Sequence, residues 1–340
     1  METKVIFIGD PHFQLSKLLD VNIFIPKIVE LCSKTKDLDF VVIGGDILHN
    51  HEKIHTVVLN KAYELIRLLS EITKVYVLVG NHDYISNSQF LTNNHWMNAI
   101  KFWKNVKIID STEYIEINNK IFTFVPYVYP GRFIEALNVV EEEVWKNSSC
   151  IFAHQEFKGC KMGSIISIEG DEWDVDFPQV ISGHIHSKQK IQENIYYPGS
   201  SLQIAFGENE NNTVCVLKFN DTMELEEIDL ELPKKRIIYV NIEDFEELEI
   251  NKSKYDNVKI AVKGTYEEFK ALKKTSKYKK VIKDNMKIQF KSTEKIDQSK
   301  FDIKDNDNTV SYKNFLEILS EKIEIENNNS LTNLYKKLCI

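Results

Sequence analysis

Val180-Ile181-Ser182-Gly183-His184-Ile185-His186 joins a short apolar run to a pair of histidines, and four earlier stretches repeat that plan. They end in Gly9-Asp10-Pro11-His12, Gly44-Gly45-Asp46-Ile47-Leu48-His49, Gly80-Asn81-His82-Asp83 and Ala153-His154-Gln155. Each follows a run of strand type, at residues 5–8, 40–43, 75–79 and 150–153. Short apolar runs bounded by Gly and polar turn residues read as buried strands. Five strands that each end in His, Asp or Asn gather those groups at the carboxyl edge of a sheet, where α/β folds place their chemistry. Leu and Ile recur at helical spacing over 18–32 and 57–69, so three β-then-α units in succession predict a parallel core sheet. Pro26 is expected to divide the first of those helices.

Further along, shorter strands are expected at 106–109, 114–117 and 121–125, with Asn118-Asn119 as a hairpin turn. Helices are expected over 98–103 and 132–145, and strands at 195–197, 213–219 and 223–228. The texture changes near Pro233-Lys234-Lys235-Arg236. Strands at 237–242, 258–262 and 286–290 with a helix over 266–274 suggest a small α+β cap over 233–304, about the minimum size that folds alone. The polar stretch 302–308 then leads to a tail, 305–340, with two short amphipathic helical patterns on either side of Asn327-Asn328-Asn329.

At 340 residues the chain can bury one large domain and one small one. Its five cysteines are odd in number and widely spaced, which argues against a disulfide framework or a zinc ribbon. No signal-peptide pattern and no membrane-spanning apolar stretch is evident. An intracellular, reducing location is expected, in cytoplasm or nucleoid. The net charge of −8 is unevenly spread: residues 252–304 hold 16 Lys against 7 Asp or Glu, so the rest is strongly acidic. A lysine run is often only a solvated face, but beside a phosphate-directed site it is also a candidate for non-specific phosphate contact.

Carboxylate, imidazole and amide oxygen suit divalent manganese, iron or zinc, and none of the five turns offers a thiolate. One Asp shared by two ions can hold them about 3.5–4 Å apart, the spacing used for in-line attack on phosphorus. Asp46 is the natural bridge. A single such turn is more often just a turn; five together point to metal.

The set D-x-H, GGD, GNHD, a later lone His and GHxH resembles that of the calcineurin-like metallophosphoesterases, over roughly the first two-thirds of the chain. Within that superfamily the chain resembles the SbcD or Mre-eleven type of DNA-repair nuclease subunit, including compact phage relatives. The resemblance implies a four-layer αββα sandwich over 1–232, with the small α+β capping domain facing DNA and the helical tail docking on a partner. It places one divalent ion, Mn2+ foremost with Mg2+, Fe2+ or Zn2+ as alternatives, on Asp10, His12, Asp46 and His186. The second ion falls to Asp46, Asn81, His154 and His184. It makes His82 the residue that faces the phosphate, with Asp83 orienting its ring, and His49 a residue that positions DNA. His51, His55 and His95 lie outside the motifs and read as surface or loop residues.

The activity implied is 3′-to-5′ exonuclease on duplex DNA and endonuclease on single strands, in a homodimer that works with an SbcC-like coiled-coil ATPase. Two details favour nuclease over phosphatase. The only arginines are Arg67, Arg132 and Arg236, none within a motif, although guanidinium groups best clamp a terminal phosphate. Tyr197-Pro198-Gly199-Ser200-Ser201 is similar to the segment that follows the histidine pair in the nuclease branch. The alternatives are a small-molecule phosphodiesterase or phosphatase, and a scaffold with a decayed site; no ligand position is missing here.

Overall fold

The structure, a computed structural model, describes residues 1–293 apart from 52, 209, 251–256 and 285. The tail over 305–340 and the end of the lysine run lie outside the described residues. Strands β1 (Thr3–Ile8), β2 (Phe40–Ile43), β3 (Lys74–Leu78) and β4 (Val106–Ile109) pair in parallel in that order. Helices α1 (Leu18–Lys34) and α2 (Thr56–Ser70) lie on one face of this sheet. The strands are apolar on both faces because both are covered. Ile6, Ile8, Val41, Ile43, Val75 and Val77 meet the helices, while Val5, Phe7, Phe40, Val42, Tyr76 and Leu78 point the other way.

That second face packs on another sheet. It begins with the hairpin β5 (Glu113–Ile117) and β6 (Lys120–Val125), whose turn residues Asn118 and Asn119 both adopt the left-handed conformation that a two-residue type I′ turn requires. After β7 (Cys150–His154) comes a small hairpin, β8 (Lys161–Met162) with β9 (Ile165–Ile166). Then β10 (Val180–Gly183), β11 (Gln189–Gln192) and β12 (Ile195–Tyr197) complete the order β11-β12-β10-β7-β6-β5. β13 (Thr213–Phe219) returns to pair antiparallel with β1, and β14 (Met223–Asp229) lies outside it with its glutamates toward solvent. Between the sheets Phe40 meets Phe122, Phe124 and Phe152 edge-on, with ring centroids 5.3–6.2 Å apart. The outer face of the second sheet is covered by α3 (Phe133–Leu137) with Trp145, Phe157 and Trp173. The layers are therefore α, β, β, α.

Three local expectations fail for identifiable reasons. Pro26 does not divide α1, which runs unbroken from Leu18 to Lys34. Pro26 and Asn22 are both exposed, so water can take the Asn22 carbonyl that loses its partner, while Phe24, Ile25 and Ile28 hold the buried face in register. The helix expected over 132–145 stops at Leu137. The Asn138 side chain accepts the Glu143 amide and the Trp145 indole N–H, a local alternative to helix that turns Trp145 inward onto Trp173. At 98–103 only a 3₁₀ turn forms, over Trp96–Ile100, capped by the His95 side chain.

β15 (Lys235–Asn241), β16 (Asn257–Gly264) and β17 (Lys287–Ser292) form a separate parallel sheet. Helices α4 (Tyr266–Leu272) and α5 (Ser276–Lys283) bury Phe269, Leu272 and Val281 against Ile260 and Val262 on one of its faces. The sequence reading missed α5, whose surface is mostly lysine. Among the described residues Cys32, Cys150, Cys160 and Cys215 are free and buried, and no helix is long and apolar enough to cross a membrane.

Candidate metal centre

All seven residues read as ligands come together where the strand ends of the two sheets meet. Asp10 and His12 follow β1, Asp46 follows β2, Asn81 follows β3, His154 ends β7, and His184 and His186 follow β10. Four of them, Asp10, His12, Asp46 and His184, sit at positive φ, a strained conformation for residues with a side chain. The strain is held by backbone bonds between loops, among them His12 N–H to the Asp46 carbonyl at 2.9 Å and His184 N–H to Asp10 Oδ1 at 2.8 Å. Glycine is required where the loops touch. A Cβ on Gly80 would lie 2.2 Å from Asp46 Oδ1, and one on Gly45, itself at φ +102°, would lie 2.4 Å from His154 Nδ1.

The His154 Nδ1–H donates to the Gly44 carbonyl at 2.7 Å, which turns Nε2 toward Asn81 Oδ1 at 3.0 Å and Asp46 Oδ1 at 3.5 Å. His184 Nδ1 reaches the same Asn81 oxygen at 2.9 Å. On the other side, His12 Nε2 stands 3.4 Å from Asp46 Oδ2, and the His186 ring lies 4.6 Å from the His12 ring between centroids. Asp46 therefore has one oxygen toward each group of ligands, as a bridge must.

The residues present fit divalent ions. Asp10 Oδ2 and His12 Nε2 are buried with no hydrogen-bond partner, a costly arrangement that a cation relieves. Burial drives the His12 imidazole well below 6.5, so it remains the neutral ligand form, and burial likewise raises the Asp10 carboxyl. Burial also opposes charge on Asp46, yet His154 and His12 hold it well below the usual carboxylate range. Against burial in turn, Asp46 pulls the His154 imidazole up to about 9. His154 and Asp46 thus form a buried ion pair, whose proton a bound metal would replace.

The sequence pattern of the calcineurin-like phosphoesterases matches residues 3–188, more than half of the chain and all five of the strand-end turns. This chain belongs to the calcineurin-like phosphoesterase family. It is 53% identical over 277 residues to "Putative phosphoesterase 244L" of Invertebrate iridescent virus 6, a match that covers 80% of this chain and 97% of the relative. It is also 42% identical over 342 residues to "Putative phosphoesterase 078R" of Invertebrate iridescent virus 3, covering 98% and 96%. Hydrolysis of phosphoesters with divalent metal ions is the chemistry of this family.

In this phosphoesterase a cleft of about 460 Å³ opens over the ligands and is lined by His82, Lys161, Met162, Ile185, Ser187 and Glu208 among others. No arginine lines it among the described residues; Arg67, Arg132 and Arg236 instead pair with Glu71, Glu135 and Glu210. The His82 amide donates to Asp46 Oδ1 at 2.8 Å, and its ring Nδ1–H donates to the His49 carbonyl at 2.6 Å. The ring is thus oriented by His49 and not, as the sequence reading had it, by Asp83. The Asp83 carboxylate faces away, accepting from Gly80 N–H, from the Trp96 indole at 2.8 Å and more weakly from Leu48 N–H. It braces the loop, and burial together with Asp46 pushes its carboxyl up to about 7.

The histidines outside the motifs divide. His55 is an exposed cap of α2, as expected of a surface residue. His95 and His51 lie in loops, as expected, but neither is free on the surface: His95 is buried against Asp110 at 3.0 Å, and half-buried His51 stacks on His82 with centroids 4.4 Å apart. Sequence reasoning also missed Tyr127, Glu156 and Glu208. The Tyr127 ring lies 5.6 Å from that of His184, and the two glutamates approach His184 and His186. Only the position of Glu156, two residues after His154, offered a signal. The Pro198–Ser201 segment buttresses the centre from behind: Ser201 N–H donates to the Gly9 carbonyl and Ser200 N–H to that of His186.

Proposed function

We propose that this phosphoesterase is a dinuclear DNA nuclease, with Mn2+ as its foremost metal, acting as 3′-to-5′ exonuclease on duplex DNA and endonuclease on single strands. What carries the DNA reading is a basic, aromatic-bearing sheet face that continues from the cleft. The face of β15–β17 not covered by helices presents Tyr239, 67% exposed, with Lys259, Lys263, Lys287 and Lys291 around it in register. Lys291 Nζ lies 4.8 Å from the Tyr239 ring centre, and Lys259 Nζ 4.6 Å from that of Phe206, the neighbour of Gly207 and Glu208 in the cleft wall. Lysines that neutralise phosphates beside aromatic rings that stack on bases suit a nucleic-acid backbone better than a small monoester. The absence of a guanidinium clamp in the cleft favours a diester for the same reason.

Two divalent ions on the seven ligands would supply the positive charge that stabilises the transition state and lowers the pKa of the attacking water. His82 lines the cleft with Nδ1–H committed to His49, which leaves Nε2 for the substrate. Burial holds its pKa below 6.5, and an arriving phosphodiester anion favours the protonated ring that can assist the leaving sugar oxygen. The place in an SbcCD-like repair complex, as a homodimer with a coiled-coil ATPase docked on the tail, rests on the likeness of the five motifs. The test is cleavage of linear duplex and hairpin DNA with and without Mn2+. His82→Ala should bind metal normally and lose at least about 100-fold in cleavage. Hydrolysis of nitrophenyl phosphodiesters with no cutting of DNA would refute the nuclease assignment.

A further inference from the structure

We infer that Glu156 and Glu208 are positioning residues, each fixing the ring of one histidine of the Gly183-His184-Ile185-His186 turn for a different metal ion. The inference rests on the dinuclear reading above and adds to it two residues that lie outside the five motifs.

The two histidines meet their carboxylates through opposite ring nitrogens. His184 has Nδ1 at Asn81 Oδ1, 2.9 Å away, and its Nε2 stands 3.9 Å from Glu156 Oε2. The His186 ring packs edge-on to His12, and its Nδ1 stands 3.7 Å from Glu208 Oε1. A ligating imidazole must leave its lone pair on the metal side and carry its proton on the other nitrogen. A carboxylate opposite that N–H selects the tautomer and the ring orientation together. Glu156 therefore favours the Nε2–H form of His184, and Glu208 the Nδ1–H form of His186. Both separations are ion-pair distances.

Neither carboxylate is a freely swinging surface group. Glu156 accepts the Ser167 hydroxyl on Oε1, and its backbone carbonyl accepts the Asp171 N–H, so Oε2 is left for the histidine. Glu208 accepts the backbone N–H of Ile204 at 2.8 Å and of Ala205 at 2.9 Å on Oε2, so Oε1 is left. In both cases one oxygen is anchored within its own loop and the other is aimed at a ring. The two loops are independent, one between β7 and β10 and one after β12. Two separate carboxylates serving two adjacent histidines are what selective support of two ions requires.

The test is Mn2+ titration of the metal-free full chain by calorimetry, with metal content confirmed by elemental analysis. The wild type should bind two ions. Glu156→Ala should weaken one of them by about 10- to 100-fold and spare the other, and Glu208→Ala should do the reverse. Glu156→Gln and Glu208→Gln, whose amide oxygens still accept the ring N–H, should recover most of the affinity; they also serve if an alanine variant misfolds by circular dichroism. Adding Glu156→Ala to His184→Ala should weaken the sites no further, whereas adding Glu208→Ala should. Two-site binding by the wild type with unchanged affinities in both alanine variants would overturn the inference alone. Equal weakening of both ions by either variant would overturn the selectivity it asserts. No binding by the wild type would overturn the dinuclear reading, and the inference with it.

Discussion

Replacing Lys17 by Met should stabilise this protein at neutral pH and lose that advantage as the pH rises. Lys17 ends a 3₁₀ turn before α1, is 5% exposed, and its Nζ has no hydrogen-bond partner. Burial, and then the charge of Lys235, push its pKa from 10.5 to about 7, only partly offset by Glu208 and Asp20. The Asp20 carboxylate is already engaged by Lys235 Nζ at 2.8 Å. Below pH 7 both folded and unfolded chains carry the proton, and the fold bears the whole cost of the buried charge, about 5 kcal/mol at roughly 1.4 kcal/mol per tenfold. Between pH 7 and 10.5 the unfolded chain binds a proton that the folded one has released, so wild-type stability rises with pH across that window. The stabilisation conferred by Lys17→Met, whose side chain has similar length and no charge, should therefore shrink by about 2 kcal/mol from pH 7 to pH 9. Urea unfolding of both proteins in chelator at pH 6, 7, 8 and 9 measures this difference directly. A difference that stays constant with pH, or a Lys17→Met variant that is less stable throughout, would refute the reasoning by showing that the ammonium is partnered.

Other consequences are as direct. Gly80→Ala places a methyl 2.2 Å from Asp46 Oδ1 and 2.4 Å from the Asp46 amide nitrogen, so the variant should fold with a loss of about 1–3 kcal/mol and bind no more than one ion. Metal analysis showing two tightly held ions would contradict it. Pro26→Ala restores an α1 hydrogen bond at an exposed position and should raise the unfolding free energy by about 1–3 kcal/mol in denaturant titrations. Mn2+ at about 100 times its dissociation constant should stabilise the metal-free protein by about 2.7 kcal/mol per site, and an unchanged melting temperature would argue that Asp10 and His12 are satisfied without metal.

Much of the fold was legible because its signals are local. Strands buried on both faces are short apolar runs, and Asn118-Asn119 dictates a tight hairpin by its backbone preference alone. The expectations that failed were those in which a particular side chain or contact with solvent overrides the local pattern. Pro26 would break a buried helix, but here its unbonded carbonyl partner faces water. Helical spacing over 132–145 is overridden by one Asn side chain and by the burial of Trp145 between Trp173 and Phe177. Asp83 follows His82 directly in the chain, yet their side chains diverge, and the carbonyl that orients the ring lies 33 residues away on His49.

The sequence by itself determined the α/β architecture, the five strand-end turns and the set of candidate metal ligands, including the pair His184 and His186. Each of these is written in a few consecutive residues whose chemistry and backbone preferences are local. Only the tertiary structure decided which ring nitrogen of each histidine faces the centre, that Asp46 divides its two oxygens between two groups of ligands, and that Glu156 and Glu208 stand behind the pair. Those facts join residues far apart, as His184 and Asn81 are across 103 positions and His154 and Gly44 across 110. They arise because two separately built sheets stack and bring their strand ends to one edge, a geometry with no period or spacing in the chain.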